Sequence, residues 1–129
     1  MTGKSVLVDT SVWIDFFCGN KTKTLTRFIQ EDIICINEII LTELIPSLKF
    51  QHKAEVIEAL NAINVIHLNI DWHVIREMQT YNLSKGINKV GIPDLIILSQ
   101  VIDQNLTLFS YDKHFKLMVG YYDYDLMNS

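Results

Sequence analysis

The sequence lacks a long hydrophobic run: no stretch approaches the roughly 18 consecutive apolar residues that a membrane-spanning helix needs. Its first residues carry Lys4 and only a short apolar run before Asp9, which does not match the long apolar region of a secretory signal peptide. We therefore expect a soluble protein that is not exported.

Cysteine is scarce, with two residues in a chain of 129, Cys18 and Cys35. Both lie inside apolar segments, and neither has the spacing of a metal ligand. We expect them to be small buried hydrophobic residues in a reducing compartment, which makes the cytoplasm the predicted location.

Positive charge is in deficit, since 11 Lys and Arg stand against 15 Asp and Glu, for a net charge of −4. This balance argues against a domain that holds nucleic acid through bulk electrostatic attraction, because such domains are usually basic. Chemistry on a nucleic acid would require locally placed Lys and Arg side chains, or a bound cation.

Apolar material, in contrast, is sufficient for a hydrophobic core. The chain is 49% hydrophobic, and its length is that of one domain. Because there is no internal repeat, low-complexity tract or linker, we interpret residues 1–129 as a single domain.

Short apolar, β-branched runs alternate with stretches of helical spacing. The predicted strands are 5–9, 33–36, 65–68, 106–109 and, with a weaker pattern, 121–124. The predicted helices are 11–18, 22–31, 38–48, 52–63, 71–84, 93–104 and 112–118. This alternation is typical of an α/β domain with a mainly parallel central sheet of about five strands, flanked by helices.

Three residues predict where helices begin. Ser11 and Asp71 are typical N-cap residues, and Pro93 suits a first helical position because its missing N–H would have no partner there. The loop 85–91, KGINKVG, combines turn-forming residues with charge.

Acidic side chains stand where the predicted sheet would bring them together. Asp9 directly follows the first strand, and Ser110 and Asp112 follow the fourth. The carboxyl ends of parallel strands share one edge of a sheet, where open α/β folds bind ligands, so these residues should meet there. Asp94 begins an otherwise almost wholly apolar helix, whose first turn should point at the same edge.

Glu43 is a fourth acidic candidate, in the segment IILTELIP. It lies on the flank of an apolar helical arc, and its neighbours at i−4 and i+3, Ile39 and Pro46, are both apolar. A solvated Glu would have polar neighbours there, so we expect a semi-buried carboxylate.

Carboxylates brought together in this way would either take up protons or hold a cation. Two charges about 6 Å apart repel by roughly 3 kcal/mol at an effective dielectric constant near 20. Oxygen ligands without Cys or suitably spaced His favour Mg²⁺ or Mn²⁺ over Zn²⁺. Such a site suits phosphodiester hydrolysis, because the ion polarises a phosphoryl oxygen, activates a water and stabilises the leaving oxygen.

Four segments in this order and spacing resemble the PIN-domain family, and the compact length is similar to the VapC toxins of bacterial and archaeal toxin–antitoxin pairs. The segments are VDTSVWIDFF, LTELIP, PDLIILS and LFSYDKHF. The resemblance implies a parallel sheet flanked by helices, Mg²⁺- or Mn²⁺-dependent endoribonuclease activity on RNA, homodimers, and inhibition by a VapB-type antitoxin whose C-terminal segment enters the active-site groove.

The four acidic positions of the family fall on Asp9, Glu43, Asp94 and Asp112. We hypothesise that Asp9, Asp94 and Asp112 hold one or two Mg²⁺ or Mn²⁺ ions, directly or through water. Glu43 would complete the set or orient the attacking water.

Other polar residues would support this chemistry. Ser11 and Ser110 would donate hydrogen bonds that fix the carboxylates. Lys85, Lys89 and Lys113 flank the acidic residues in sequence and are candidates for contacts with phosphates, although each is also compatible with a solvated loop charge.

The chain departs from the family pattern at Leu98 and Ser99, where small Ala residues are common, and at Asn105, where Gly often precedes the fourth strand. Because Asn tolerates the left-handed conformation, Asn105 should preserve the end of the preceding helix.

Every candidate also has an ordinary structural explanation. Asp9 and Asp112 are compatible with simple helix caps, Asp94 with the positive end of a helix dipole, and Glu43 with a solvated helical face. His114 is interpreted as a helix or surface residue, since no other His or Cys stands at ligand spacing.

Other classes of protein fit these residues less well. The segment DTSVW has no Gly-rich turn, which argues against dinucleotide and P-loop binding. Aspartyl-phosphate phosphatases typically carry a second acid where this chain has Ser11. The alternative from another class is a catalytically weak PIN domain that serves as an RNA-binding or protein-interaction module.

Overall fold

The computed structural model describes residues 4–20 and 22–129; residues 1–3 and 21 of the predicted domain lie outside this range. The strands of the described chain are β1 (Val6–Val8), β2 (Ile34–Ile36), β3 (Asn64–Val65), β4 (Thr107–Phe109) and β5 (Asp125–Met127). Its helices are α1 (Thr10–Phe17), α2 (Lys23–Gln30), α3 (Glu38–Phe50), α4 (Ala54–Asn61), α5 (Trp72–Ser84), α6 (Ile92–Asp103) and α7 (Lys113–Met118).

The five strands form one parallel sheet in the order β3-β2-β1-β4-β5. This confirms the predicted α/β class and the predicted number of strands. After β1, the chain builds one half of the sheet through β2 and β3 and then crosses over to β4 on the other side of β1. Between β1 and β4 the strand order reverses, and open α/β sheets bind ligands at this point.

The centre of the sheet is buried on both faces. All residues of β1, β2 and β4 are buried, and Leu7, Cys35 and Leu108 have no exposed surface at all. Helix α6 contributes Leu95 and Leu98 to the same core. Burial on both faces explains why these strands appear in the sequence as continuous apolar runs instead of alternating patterns.

The prediction of the fifth strand was wrong: it occupies Asp125–Met127 and not 121–124. The tyrosines of the predicted stretch bind helices instead, because the Tyr122 hydroxyl reaches α5 and the Tyr124 hydroxyl donates to the Phe115 carbonyl of α7. The aromatic character that suggested a strand therefore belongs to a connection that packs against two helices.

Most other boundaries agree with the prediction within two residues. The third strand, predicted at 65–68, is limited to Asn64–Val65, and the helix predicted at 52–63 extends only over Ala54–Asn61. The later start of α4 has a local cause: His52 has a φ of 58°, in the left-handed region, which ends α3 and separates it from α4.

Of the two N-cap residues predicted from the sequence, the structure confirms one and contradicts the other. Asp71 is the N-cap of α5, as predicted, and accepts the backbone N–H groups of His73 and Val74. Ser11 is not an N-cap, because α1 begins one residue earlier and Asp9 holds the N-cap position. Ser11 lies in the first helical turn, where its hydroxyl is available for other contacts.

The two cysteines differ in environment. Cys35 is buried in β2, as expected, whereas Cys18 is exposed directly after α1, so the expectation of burial was wrong for it. Both thiols are free. Within the described part of the chain, no helix is long and apolar enough to cross a membrane.

Asn105, which follows α6, has a φ of 53° and so adopts the left-handed conformation expected of it. Asn105→Ala should lower the free energy of unfolding by about 1 kcal/mol, because a Cβ without a local hydrogen-bonding group is disfavoured there. Asn105→Gly should stay within about 0.5 kcal/mol of the original chain. Urea unfolding measures both changes, with Asn61→Ala in α4 as the control. Equal losses in the free energy of unfolding for Asn105→Ala and Asn105→Gly would contradict this explanation.

Candidate functional site

Asp9 lies at the edge of the sheet where β1 and β4 both end. It follows β1 directly, and its backbone N–H donates to the Phe109 carbonyl at 2.9 Å. The residue is only 5% exposed. One of its carboxylate oxygens, Oδ2, accepts the Ser110 hydroxyl at 2.8 Å and the Ser11 hydroxyl at 3.0 Å. Two hydroxyls thus hold a buried carboxylate in one orientation.

The same two serines connect the ends of the two strands. The Ser11 hydroxyl oxygen accepts the backbone N–H of Tyr111 at 3.0 Å, and that of Ser110 accepts the backbone N–H of Asp112 at 3.0 Å. The structure therefore places both serines where the sequence analysis put them, beside the first acid. Their hydrogen bonds fix the loop after β4 relative to the first turn of α1.

Asp94, Asp112 and His114 form a second group at this edge. The His114 Nδ1 atom lies 3.3 Å from Asp112 Oδ1 and 3.9 Å from Asp94 Oδ2. One potential ligand atom from each of the three residues lies within 4.8 Å of the other two. Asp94 comes from the first turn of α6, whereas Asp112 is the N-cap of α7 and accepts the His114 backbone N–H at 2.8 Å.

The carboxylates also influence one another electrostatically. The pKa of Asp94 is raised to about 6, first by burial and then by the negative charges of Asp112, Asp9 and Glu43, while His114 acts in the opposite direction. Burial also raises the pKa of Asp9, and its hydrogen bonds from serine only partly offset this. The acidic residues therefore share one region of negative potential, in which the ionised form of Asp94 is disfavoured.

Glu43 lies at the rim of this region, and the expectation that it would be semi-buried was wrong. It is exposed on α3, although its Oε1 atom accepts the Thr10 hydroxyl at 2.7 Å. Its apolar neighbours in the sequence do not cover it, because the side chain borders an open cavity of about 360 Å³ that Ile39 and Pro93 also line. Glu43 is thus attached to α1 but accessible to solvent.

Two of the three lysines border an open groove beside His114. The groove has a volume of about 390 Å³ and is lined by Gly86, Ile87, Asn88, Lys89, Lys113, His114 and Leu117. Lys85 does not line it, and its Nζ atom instead lies 5.4 Å from the centre of the Tyr81 ring. Positive charge therefore adjoins the acidic residues on one side, through Lys89 and Lys113.

The donor set fits a divalent metal ion. Carboxylate oxygens from Asp94 and Asp112 are close enough to share one ion, and the charges that oppose ionisation of Asp94 are those that a cation would neutralise. The sequence analysis interpreted His114 as a helix or surface residue; it does lie in α7, but its ring is beside Asp94 and Asp112. Its signal was its position two residues after an N-cap Asp, which places the imidazole in the first turn of α7 beside that carboxylate.

The fold and this site define a class of protein. The chain belongs to the PIN domain family, whose family model matches residues 6–120. PIN domains are generally nucleases that use a divalent metal ion.

Solved structures share this fold over most of the chain. DNA-bound VapBC from Salmonella typhimurium has a TM-score of 0.76 at 18% identity, covering 96% of this chain and 97% of that one. VapBC2 from Rickettsia felis, bound to a promoter fragment, has a TM-score of 0.76 at 22% identity, covering 96% and 98%. A toxin–antitoxin complex from Klebsiella pneumoniae has a TM-score of 0.61 at 25% identity, covering 84% and 88%. No curated protein matches this chain.

Proposed function

We propose that this protein is a divalent-metal-dependent endoribonuclease and the toxin of a VapBC-type toxin–antitoxin pair. The observation that carries this proposal is the grouping of Asp94, Asp112 and His114, since one potential ligand atom from each lies within 4.8 Å of the other two. The pKa of Asp94 is raised first by burial and then by the charges of Asp112, Asp9 and Glu43, which indicates that these acidic residues lie near one another. These residues come from distant parts of the chain and meet where the strand order reverses, at the usual position of a ligand site in such sheets.

In this proposal, Asp9, Asp94 and Asp112 hold one or two Mg²⁺ or Mn²⁺ ions. The bound metal would supply Lewis-acid activation of the scissile phosphate and of the attacking water. Glu43, which is exposed and accepts the Thr10 hydroxyl, would orient that water or complete the metal site.

Ser11 and Ser110 act through Asp9. Their hydroxyls both donate to Oδ2, so the carboxylate cannot rotate without the loss of two hydrogen bonds. A metal ligand that is fixed before the ion binds pays less conformational entropy on binding.

RNA would reach an acidic domain through local positive charge. The net charge of the chain is −4, so attraction of a polyanion depends on the bound metal and on the groove beside His114. Lys89 and Lys113 line this groove and are proposed to contact phosphates. Lys85 remains a weaker candidate because its ammonium group lies over Tyr81.

Replacement of both groove lysines, Lys89→Ala with Lys113→Ala, should weaken RNA binding about tenfold and flatten its salt dependence. Each phosphate contact with a single strand contributes about 0.7 to the slope of log K against log salt, so the slope should fall by about 1.4. Fluorescence anisotropy with a labelled oligonucleotide measures this. A double variant at Lys23 and Lys49, which lie on α2 and α3, is the control; an equal change in the control would contradict a specific role.

We also propose that the protein forms homodimers and binds a VapB-type antitoxin. Its similarity to VapBC structures over 97% and 98% of their chains supports this assignment. Free thiols at Cys18 and Cys35 suit the reducing cytoplasm, which is the proposed location. A neighbouring gene for a short protein with a DNA-binding fold would support the assignment as a toxin.

The decisive experiment is RNA cleavage by the purified protein. Structured RNAs and single-stranded oligonucleotides are incubated with Mg²⁺, Mn²⁺ or EDTA, alongside Asp94→Asn prepared identically to control for contaminating ribonuclease. Asp103→Asn, at the other end of α6, is the matched control. We expect metal-dependent cleavage that only Asp94→Asn abolishes. If no RNA is cut but the metal still raises the melting temperature, the interaction-module alternative is favoured.

A further inference from the structure

The ring nitrogen of His114 has the distances expected of a metal ligand. Around a six-coordinate ion with bonds of about 2.1 Å, neighbouring ligand atoms lie about 3.0 Å apart and opposite ones about 4.2 Å apart. His114 Nδ1 lies 3.3 Å from Asp112 Oδ1 and 3.9 Å from Asp94 Oδ2, within this span. Both distances from His114 Nδ1 therefore fit those between ligands of a single ion.

The local backbone holds the imidazole at this position. Asp112 accepts the backbone N–H of His114 at 2.8 Å, so the hydrogen bond that begins α7 also keeps the carboxylate beside the ring. The side chains of Asp94, Asp112 and His114 are 22%, 32% and 26% exposed. This partial burial leaves room for an ion and its waters while it limits the orientations of the ring.

We propose that His114 is a nitrogen ligand of the divalent ion, together with Asp94 and Asp112, and that it makes the site prefer Mn²⁺ to Mg²⁺. This inference rests on the metal site of the proposed function. Mg²⁺ is bound through oxygen atoms and keeps much of its water, whereas imidazole nitrogen is a favourable donor for transition-metal ions. Replacement of one oxygen donor by nitrogen therefore favours Mn²⁺.

The competing explanation is that a protonated His114 acts only as a counter-charge to the two carboxylates. His114 lowers the pKa of Asp94, and this effect is compatible with either role. The two roles predict opposite effects of its removal. Loss of a ligand weakens metal binding, whereas loss of a competing positive charge strengthens the binding of both Mg²⁺ and Mn²⁺.

The test is direct metal binding, which does not require RNA cleavage. Electron paramagnetic resonance of free Mn²⁺ gives the Mn²⁺ dissociation constant, and isothermal titration calorimetry gives that of Mg²⁺, at a single pH throughout. The original chain is compared with His114→Ala and with the matched control His73→Ala, which removes an imidazole 3.9 Å from the Glu77 carboxylate on α5. Asp94→Asn serves as the variant without the central carboxylate. Circular dichroism verifies that each variant is folded.

We expect His114→Ala to raise the Mn²⁺ dissociation constant at least about tenfold and to change that of Mg²⁺ much less, since even indirect ligand partners contribute this much to metal affinity. His73→Ala should change neither constant. Unchanged or tighter Mn²⁺ binding by His114→Ala would overturn the role of His114 but leave the metal site intact. If the original chain itself binds neither ion, both the role of His114 and the proposed metal dependence are overturned.

Discussion

Asp9→Asn should reduce RNA cleavage at least about a thousandfold while the fold is preserved. Asn has the same shape, and its side-chain oxygen can still accept the hydroxyls of Ser11 and Ser110. What is lost is the negative charge that is proposed to hold the metal ion. A thousandfold decrease corresponds to about 4 kcal/mol of transition-state stabilisation, a reasonable magnitude for metal-ion catalysis.

Single-turnover cleavage rates, measured with saturating metal, test this expectation. Asp15→Asn is the matched control because Asp15 lies on α1, the helix that Asp9 caps, and its carboxylate accepts a hydrogen bond from Asn20. Ser110→Ala keeps the charge of Asp9 and removes one donor, so its rate should fall only about 10- to 100-fold. Cleavage by Asp9→Asn at the original rate would contradict the proposed role of Asp9.

The metal-free protein should lose stability as the pH rises through the range from about 4 to 6, and Asp94→Asn should lose less, because only Asp9, whose pKa is also raised by burial, then contributes. The ordinary pKa of an Asp carboxyl is 3.8, and in the folded protein that of Asp94 is raised to about 6. The folded state therefore holds the proton more tightly than the unfolded state between these values. Stability is highest when Asp94 is protonated and falls as the pH rises towards the folded pKa.

Over this whole range the loss should amount to about 2–3 kcal/mol, because the Asp94 side chain is only 22% exposed and is weakly screened by solvent. Urea unfolding in EDTA, below and above the range, measures it. At neutral pH, Asp94→Asn should be more stable than the original chain, whereas Asp103→Asn should resemble it. Added Mn²⁺ should stabilise the original chain and not Asp94→Asn. If the free energy of unfolding depended on pH in the same way in the original chain and in Asp94→Asn, the assignment of the raised pKa to Asp94 would be refuted.

The expected loss of cleavage by Asp94→Asn and its expected gain in stability describe a conflict between stability and activity at one residue. A carboxylate that destabilises the metal-free fold is retained where it is proposed to bind metal, as is common at functional sites. The expected phenotype of Asp94→Asn is thus a protein that is more stable and inactive.

The central strands were predictable because burial leaves a simple pattern in the sequence. Parallel strands covered on both faces need continuous apolar runs, and the segments of β1, β2 and β4 have them. The meeting of Asp9 and Asp112 followed from the rule that parallel strands end at one edge. Neither inference required knowledge of side-chain conformations.

Other features depended on contacts that no local pattern specifies. The tyrosines at 121–124 have the composition of a strand, but their hydroxyls bind α5 and α7. The exposure of Glu43 depends on how α3 and α6 diverge around it, and the proximity of His114 to Asp94 depends on how α6 and α7 pack. Such distances between elements arise only from the assembled fold.

Two hydrogen bonds, from the Ser110 hydroxyl to Asp9 and from the Tyr111 backbone N–H to Ser11, join residues that are 101 and 100 positions apart in the chain. A polypeptide released early from the ribosome, before β4 is made, contains Asp9 and Glu43 but has neither Ser110 nor Asp112. Contacts so distant in sequence form only once the later segment is present. Truncated translation products therefore lack the complete site, which exists only in a chain whose synthesis has passed α7.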